Sequence, residues 1–201
     1  RFDGFDFYSV AFPDSAAGRF PTASLKDKSG TLWFGFNDGT LFYASGSSLG
    51  RVNLPGSSGT GISSVVQGPD GFIYVATQRK PLFRVNPIRP AEVSPILLGP
   101  DPNIFSFCFT ASGNLLIGTQ ENILVCKLVR DSLIAVKAIE GFDYSRIMAI
   151  YQLSDSSRFI IGTDGNGVFQ LHQAGNDFYL SRLKGNPVLE SASVRSVTED
   201  G

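Results

Sequence analysis

The chain has 201 residues, of which 42% are hydrophobic and 12% aromatic, with 17 basic against 18 acidic residues and a formal net charge of −1. That is too apolar for a disordered chain and enough for a sizeable core, and it lacks the basic excess that marks a nucleic-acid binder. No apolar run approaches the ~20 residues of a membrane-spanning helix; the longest, Ile123 to Val129, is broken by Lys127.

In chain order, the first element signal is Arg1-Phe2-Asp3, the exit of a strand, followed by an apolar strand from Phe5 to Val10. The next is a tight turn running into a strand, Asp27-Lys28-Ser29-Gly30-Thr31-Leu32-Trp33-Phe34-Gly35. The same pattern returns at Pro69-Asp70-Gly71-Phe72-Ile73-Tyr74-Val75-Ala76, at Ala111-Ser112-Gly113-Asn114-Leu115-Leu116-Ile117-Gly118, and at Asp155-Ser156-Ser157-Arg158-Phe159-Ile160-Ile161-Gly162. The anchors Gly35, Ala76, Gly118 and Gly162 follow one another at intervals of 41, 42 and 44 residues. Six residues beyond each anchor comes an apolar pair: Leu41-Phe42, Leu82-Phe83, Leu124-Val125 and Val168-Phe169. Another short apolar strand precedes three of the turns, at Ile62-Ser63-Ser64-Val65, Ile104-Phe105-Ser106-Phe107 and Ile147-Met148-Ala149-Ile150. A weaker fourth strand is expected at Arg51-Val52-Asn53-Leu54 and at Phe178-Tyr179-Leu180.

Short β-branched and aromatic strands between Gly, Asp, Asn and Pro turns, with no 3.6-residue period, read as all-β. Four strands in ~40–45 residues is the arithmetic of a propeller blade. The expected fold is therefore a β-propeller with four complete blades, at 21–61, 62–103, 104–146 and 147–193. Residues 1–20 read as the tail of a preceding blade and 194–201 as the start of the next, so the chain is expected to be a fragment of a larger propeller. A glycine in the anchor slot suits a crowded strand end where a side chain would strike the neighbouring blade. Open blade faces and sheet edges predict self-association and leave the remaining blades as natural partners.

The repeat resembles the two-component regulator propeller repeat, whose units run Ile-x-x-Ile-x-x-Asp-x-x-Gly-x-Leu-Trp-x-Gly-Thr. Residues Asp27 to Gly35 match it closely, as do Val194 to Asp200, while Tyr74, Leu116 and Ile160 stand where the tryptophan would be. The resemblance implies the periplasmic sensor region of a membrane-bound hybrid histidine kinase that recognises oligosaccharides and controls transcription by phosphorelay. No kinase motif lies within these residues, and no catalytic activity is expected of them.

His172 is the single histidine, so no multi-histidine metal site is expected. By repeat alignment it sits at the turn leaving a third strand. Asp155, Asp164 and Asp177 are too scattered for a calcium loop, and no cofactor is implied. The glycine-rich run Gly162-Thr163-Asp164-Gly165-Asn166-Gly167 leads into a strand rather than a helix, so it reads as a tight connection and not a phosphate loop. Cys108 and Cys126 fall on the first and third strands of one blade, about 9–10 Å apart and beyond bridging distance, so both are expected free.

Propeller ligands sit at the mouth of the central channel. That face is built by loops leading into each innermost strand and loops joining second to third strands. Here the joining loops are residues 36–38, 78–80, 120–122 and 164–166, and the lead-in loops supply Asn103, Tyr144 and Arg146. A sugar site needs planar hydrogen-bonding groups and a ring to stack on. The candidates are Arg79, Lys80, Gln120, Asn122, Tyr144, Arg146, Asp164 and Asn166. Two other readings stand beside the sensor: a propeller scaffold for protein contacts, and a streptogramin lyase-like enzyme, which would need a base and a metal near the channel.

Overall fold

The computed structural model describes residues 18–46, 48–78, 80–98, 103–185 and 187–199, with the backbone only at 80, 81 and 98. The strands expected at the start of the chain, and Arg79 among the candidate site residues, lie outside the described residues. Among the described residues, sixteen strands follow one another as four meandering units. The first holds β1 (Pro21–Lys26), β2 (Leu32–Phe36), β3 (Leu41–Ser45) and β4 (Ser48–Val52). The second holds β5 (Ile62–Gln67), β6 (Ile73–Thr77), β7 (Lys80–Val85) and β8 (Val93–Leu98). The third holds β9 (Ser106–Phe109), β10 (Leu115–Gly118), β11 (Ile123–Val129) and β12 (Ser132–Ile139). The fourth holds β13 (Ile147–Gln152), β14 (Arg158–Thr163), β15 (Val168–Ala174) and β16 (Asp177–Arg182). Within each unit, neighbouring strands pair antiparallel in sequence order. The fold is that of a β-propeller.

The cores lie between units rather than within them, and the strand pattern explains why. Side chains alternate faces along a strand, so a sheet sandwiched between two neighbours must be apolar on both. In β6, Ile73 and Val75 pack toward the first unit with Trp33, Leu41, Val52 and Ile62. Their neighbours Tyr74 and Ala76 pack toward the third unit with Ile104, Phe107, Leu115 and Ile117. Leu116 in β10 turns the other way and joins Phe142, Ile147, Phe159, Ile161 and Phe169 of the next interface. Each Val, Leu, Ile and Phe side chain among these contributes about 1.5–3 kcal/mol by burial.

The anchor slots are crowded by the next unit, as the repeat predicts. A Cβ on Gly118 would lie 2.4 Å from Ser106 Oγ and 2.8 Å from Ile147 Cβ, and one on Gly162 would lie 2.5 Å from the Val194 carbonyl. On Gly35 it would strike Ile62, the first residue of β5.

The turn before each second strand closes on a polar side chain. Asp27 accepts from the Ser29 and Thr31 amides, both at 2.9 Å, from Ser29 Oγ at 2.6 Å and from Trp33 Nε1 at 2.9 Å. In the second unit Gly68 takes the backbone position of Asp27, since its amide donates to Phe72 O as the Asp27 amide donates to Thr31 O. Asp70 supplies the carboxylate instead and accepts from Tyr74 Oη at 2.8 Å. A Cβ on Gly68 would lie 2.5 Å from that tyrosine ring and 2.6 Å from Asp70 Oδ1. The aspartate has moved along the turn and the glycine makes room for it.

Four features differ from the sequence reading. The fourth strand of the first unit is Ser48–Val52 and not residues 51–54, because Leu54 turns inward to the core. The second and third units are not separate sheets: the end of β8 pairs in parallel with the start of β12, Ser132 with Leu97 and Leu133 with Leu98, giving one eight-stranded sheet. A short helix α1 (Pro187–Glu190) follows β16. His172 lies within β15, opposite Arg158 and Tyr179, rather than in a turn.

Candidate functional site

One backbone hydrogen bond recurs around the mouth of the channel. The amides of Asn37, Gln78 and Asp164, in the loops joining second to third strands, donate to the carbonyls of Phe20, Gly61 and Arg146 at 3.0–3.1 Å. In each of these three units the two loops therefore lie side by side. Behind them, residues of β1, β5, β9 and β13 and Arg195, Ser196 and Val197 line a cavity of about 590 Å³. Several of its hydroxyls hold the wall together: Thr22 Oγ1 donates to Ile62 O at 2.6 Å and Ser106 Oγ to Ile147 O at 2.7 Å.

On the third and fourth units the predicted residues come together in two groups. Arg146 Nε donates to Gln120 Oε1 at 3.2 Å and its Nη1 lies 3.5 Å from Asp164 Oδ2, with the guanidinium 5.6 Å from the Phe105 ring centroid. Ser193 Oγ extends the chain of contacts to Asp164 Oδ1 at 2.9 Å. The second group lines a cleft of about 290 Å³ made by Glu121, Asn122, Glu140, Gly141, Phe142, Asp143 and Tyr144.

Tyr144 is the outlier of that cleft. Phe142 is fully buried and stacks edge-on against Phe169 at 5.2 Å, which pins the loop. Asp143 (φ 49°) and Tyr144 (φ 59°) then both adopt the left-handed conformation, which costs a non-glycine residue about 1–3 kcal/mol. The outcome is a tyrosine 82% exposed on the mouth face.

The two asparagines have another task. Asn122 Oδ1 accepts from Thr119 Oγ1 at 2.9 Å inside its own turn. Asn166 Nδ2 donates to Phe142 O at 2.9 Å and to Asp143 Oδ2 at 3.3 Å, and its other amide atom accepts from Arg182, so it braces the Tyr144 loop. Lys80 begins β7 on the second unit, away from this grouping in sequence and in sheet order. The run of residues 162–167 is a strand connection, closed by Thr163 Oγ1 on Gly167 O at 2.7 Å with Gly165 and Gly167 at positive φ.

Sequence reasoning named the 36–38 loop of the first unit but put no candidate residue there. Phe20 occupies the backbone slot of Arg146 and is 56% exposed. Beside it Arg19 Nε donates to Asp38 Oδ2 at 2.8 Å, and together with Arg51 and Gly56–Gly59 they border a cleft of about 520 Å³. Burial works to raise the Asp38 pKa, but hydrogen bonds from Thr40 and the Arg19 guanidinium outweigh it and hold the carboxyl below its ordinary value. The signal was available: Phe20 directly precedes β1 as Arg146 directly precedes β13. Arg182, which contacts Asp143 and lies 4.8 Å over the Phe169 ring, carries no motif that would mark it.

His172 is exposed on the third strand of the fourth unit, its ring 6.5 Å from Tyr179, and does not line the channel cavity. Among the described residues no cluster of three His, Cys, Asp or Glu side chains fits a metal ion, and no helix is long and apolar enough to cross a membrane. Cys108 and Cys126 lie on β9 and β11 with β10 between them, and both are free.

No protein-family model matches the chain, and no curated protein matches its sequence. Solved structures do match in fold. Virginiamycin B lyase from Staphylococcus aureus superposes with a TM-score of 0.66 at 12% identity, over 81% of this chain and 55% of the lyase. A structure described as the extracellular domain of a hybrid two component system from B. thetaiotaomicron gives 0.65 at 20% identity, over 83% of this chain and 24% of that one. The periplasmic gluconolactonase of Pseudomonas aeruginosa gives 0.57 at 16% identity, over 82% of this chain and 56% of the enzyme. The chain thus spans between about a quarter and just over half of these proteins. What they share at such identities is the propeller fold, and an extracellular domain of a two component system and enzymes are both among them.

Proposed function

We propose that this chain is a non-catalytic, ligand-binding segment of a sensor propeller. In this reading it stands on the periplasmic or extracellular side of a hybrid two-component histidine kinase and binds an oligosaccharide whose presence is relayed to transcription. The observation that carries the reading is Tyr144, an aromatic ring displayed in a strained backbone at the cleft lined by Glu121, Asn122, Glu140 and Asp143, two residues before Arg146 in the same loop. A ring face for stacking next to planar polar groups is what a sugar requires, with apolar C–H surface on one side and hydroxyls on the other. The position of His172 outside the channel supports binding over chemistry. The repeat resemblance supports a sensor over a free-standing enzyme, and the fold, shared with extracellular domains of two-component systems as well as with enzymes, is compatible with that reading.

The test is titration calorimetry of the chain against a broad glycan panel, repeated with Tyr144→Ala. Binding that weakens about ten-fold or more in Tyr144→Ala, with an unchanged thermal melt, supports the reading. A panel with no binder to the wild-type chain overturns it.

A further inference from the structure

The innermost strands share an irregularity that aims a side chain at the channel. In β1, β5 and β13 the pairing with the second strand slips by one residue at the same place. The extra residue is Thr22, Ser63 or Met148, and all three line the cavity of about 590 Å³. A bulge bends its strand and re-aims the side chain it carries. Phe105 holds the place in the third unit, directly before Ser106, which pairs with Gly118 as Ala23, Ser64 and Ala149 pair with the other anchors.

The segment after α1 continues the series. Val194 crowds Gly162 as Ile62 crowds Gly35 and Ile147 crowds Gly118. Its amide donates to Thr163 O at 2.8 Å, as the Ile147 amide donates to Thr119 O at 3.0 Å. Glu199 fastens the far end by accepting from the Ser154 amide at 2.9 Å and from Ser154 Oγ at 3.0 Å. Arg195 thereby takes the slot that holds Thr22, Ser63, Phe105 and Met148 in the four units, and it lines the same cavity.

Among the described residues, Arg195 is the one charged side chain of that lining, and no hydrogen bond or ion pair engages its guanidinium. Asp164, which meets this segment at Ser193, is also paired with Arg146, and Glu199 is held by Ser154. The hydroxyls of Ser64, Tyr151 and Ser196 belong to the same lining and have no hydrogen-bond partner among the described residues. These residues therefore offer a ligand one guanidinium, several hydroxyls and no carboxylate. A guanidinium presents two parallel N–H groups to a carboxylate, and hydroxyls both donate to and accept from other hydroxyls. A cavity of this size takes a small molecule.

We infer that the channel cavity is a binding site separate from the Tyr144 cleft, and that it takes a small polyhydroxy carboxylate of the uronic-acid kind, its carboxylate on Arg195. The two linings share no residue, so this site does not rest on the Tyr144 reading.

Ligand-observed NMR titration tests it, with D-glucuronate, D-galacturonate, their neutral parents D-glucose and D-galactose, and acetate as probes. The wild-type chain is compared with Arg195→Gln, Arg195→Lys and Tyr144→Ala, each first shown to melt as wild type does. A charge-assisted pair should make a uronate at least about ten-fold tighter than its neutral parent and than acetate. Arg195→Gln should erase that preference, Arg195→Lys keep part of it, and Tyr144→Ala leave it intact. A uronate that binds wild type no tighter than the neutral sugar, or binds Arg195→Gln as it binds wild type, overturns the proposal. Acetate matching the uronate overturns its polyhydroxy part, and a preference lost in Tyr144→Ala overturns the separate site.

Discussion

Replacing Trp33 with alanine tests the inter-unit core directly. The indole is fully buried, tilted against Tyr43 at 5.5 Å, and packed among Ile62, Ile73, Val75 and Phe83 across the first interface. Deleting a buried large aromatic costs about 3–5 kcal/mol. The lost hydrogen bond adds little, because Asp27 keeps the Ser29 amide, Ser29 Oγ and the Thr31 amide as donors and is not left unsatisfied. A loss of about 4 kcal/mol lowers the melting temperature of a chain this size by about 8–16 °C. Trp33→Phe keeps a ring but removes the N–H, and should lose about 1–2 kcal/mol. The assay is urea unfolding followed by circular dichroism in all variants; in the wild type, Trp33 is the sole tryptophan and reports the same transition by fluorescence. A loss below about 1 kcal/mol in Trp33→Ala would refute the placement of this side chain as a keystone between units.

Other expectations follow from the same contacts. Gly35→Ala and Gly118→Ala should each lower stability by about 1–3 kcal/mol through overpacking against Ile62 and Ile147, whereas Ala76→Gly should cost about 1 kcal/mol or less; equal melting temperatures for Gly118→Ala and wild type would contradict this. Burial acts to raise the Asp27 pKa, yet its hydrogen bonds from Ser29, Trp33 and Thr31 prevail and set it below 3.8. Its stabilisation is therefore complete above that value and is lost as pH falls through the lower folded value. Urea midpoints of Asp27→Asn should accordingly show a shallower decline than wild type between about pH 5 and pH 1; parallel curves would dismiss the carboxylate's part. Burial raises the thiols of Cys108 and Cys126 to about 11. Ellman's reagent at mildly alkaline pH should therefore label the folded chain slowly and the urea-unfolded chain at once, and rapid labelling of both thiols in the folded chain would argue against their burial.

The repeat was legible because its strongest constraints are side-chain absences and turn chemistry. Gly35, Gly118 and Gly162 recur because the next unit occupies the space of a Cβ, and a missing side chain is easy to see in sequence. The parallel pairing of β8 with β12 was not legible, since it is made by backbone groups at strand ends: Leu97 N donates to Asp131 O at 3.0 Å, and no residue type announces that. The fourth strands carry a weak signal for a related reason: the expected 51–54 overshoots β4 (Ser48–Val52), while 178–180 falls inside β16 (Asp177–Arg182). Being outermost, they bury one face at most, as the burial of Asp177–Arg182 alternates, so their apolar signal is weak. At the mouth, Asn122 and Asn166 were singled out as ligand donors and are engaged in turn closure. An asparagine that braces a loop and one that meets a ligand have the same identity in a sequence; the difference lies in where the amide points. Tyr144 was singled out because it lies in a lead-in loop and offers a ring to stack on.

The mouth can carry a ligand because there the fold demands nothing of the side chain. At the lead-in slot the hydrogen bond is made by the carbonyl, so Phe20, Gly61 and Arg146 serve it equally. At the anchor slot, two residues before the amide that completes that bond, only Gly or Ala is present. Adjacent positions of one repeat are thus under opposite constraints, one fixed by packing and one released from it. Where a released position nevertheless shows a large ring to solvent, as at Phe20, the fold supplies no reason for the ring. That is why exposed rings such as Phe20 and Tyr144, rather than the hydrogen-bonded asparagines, are the residues on which to test the proposed binding.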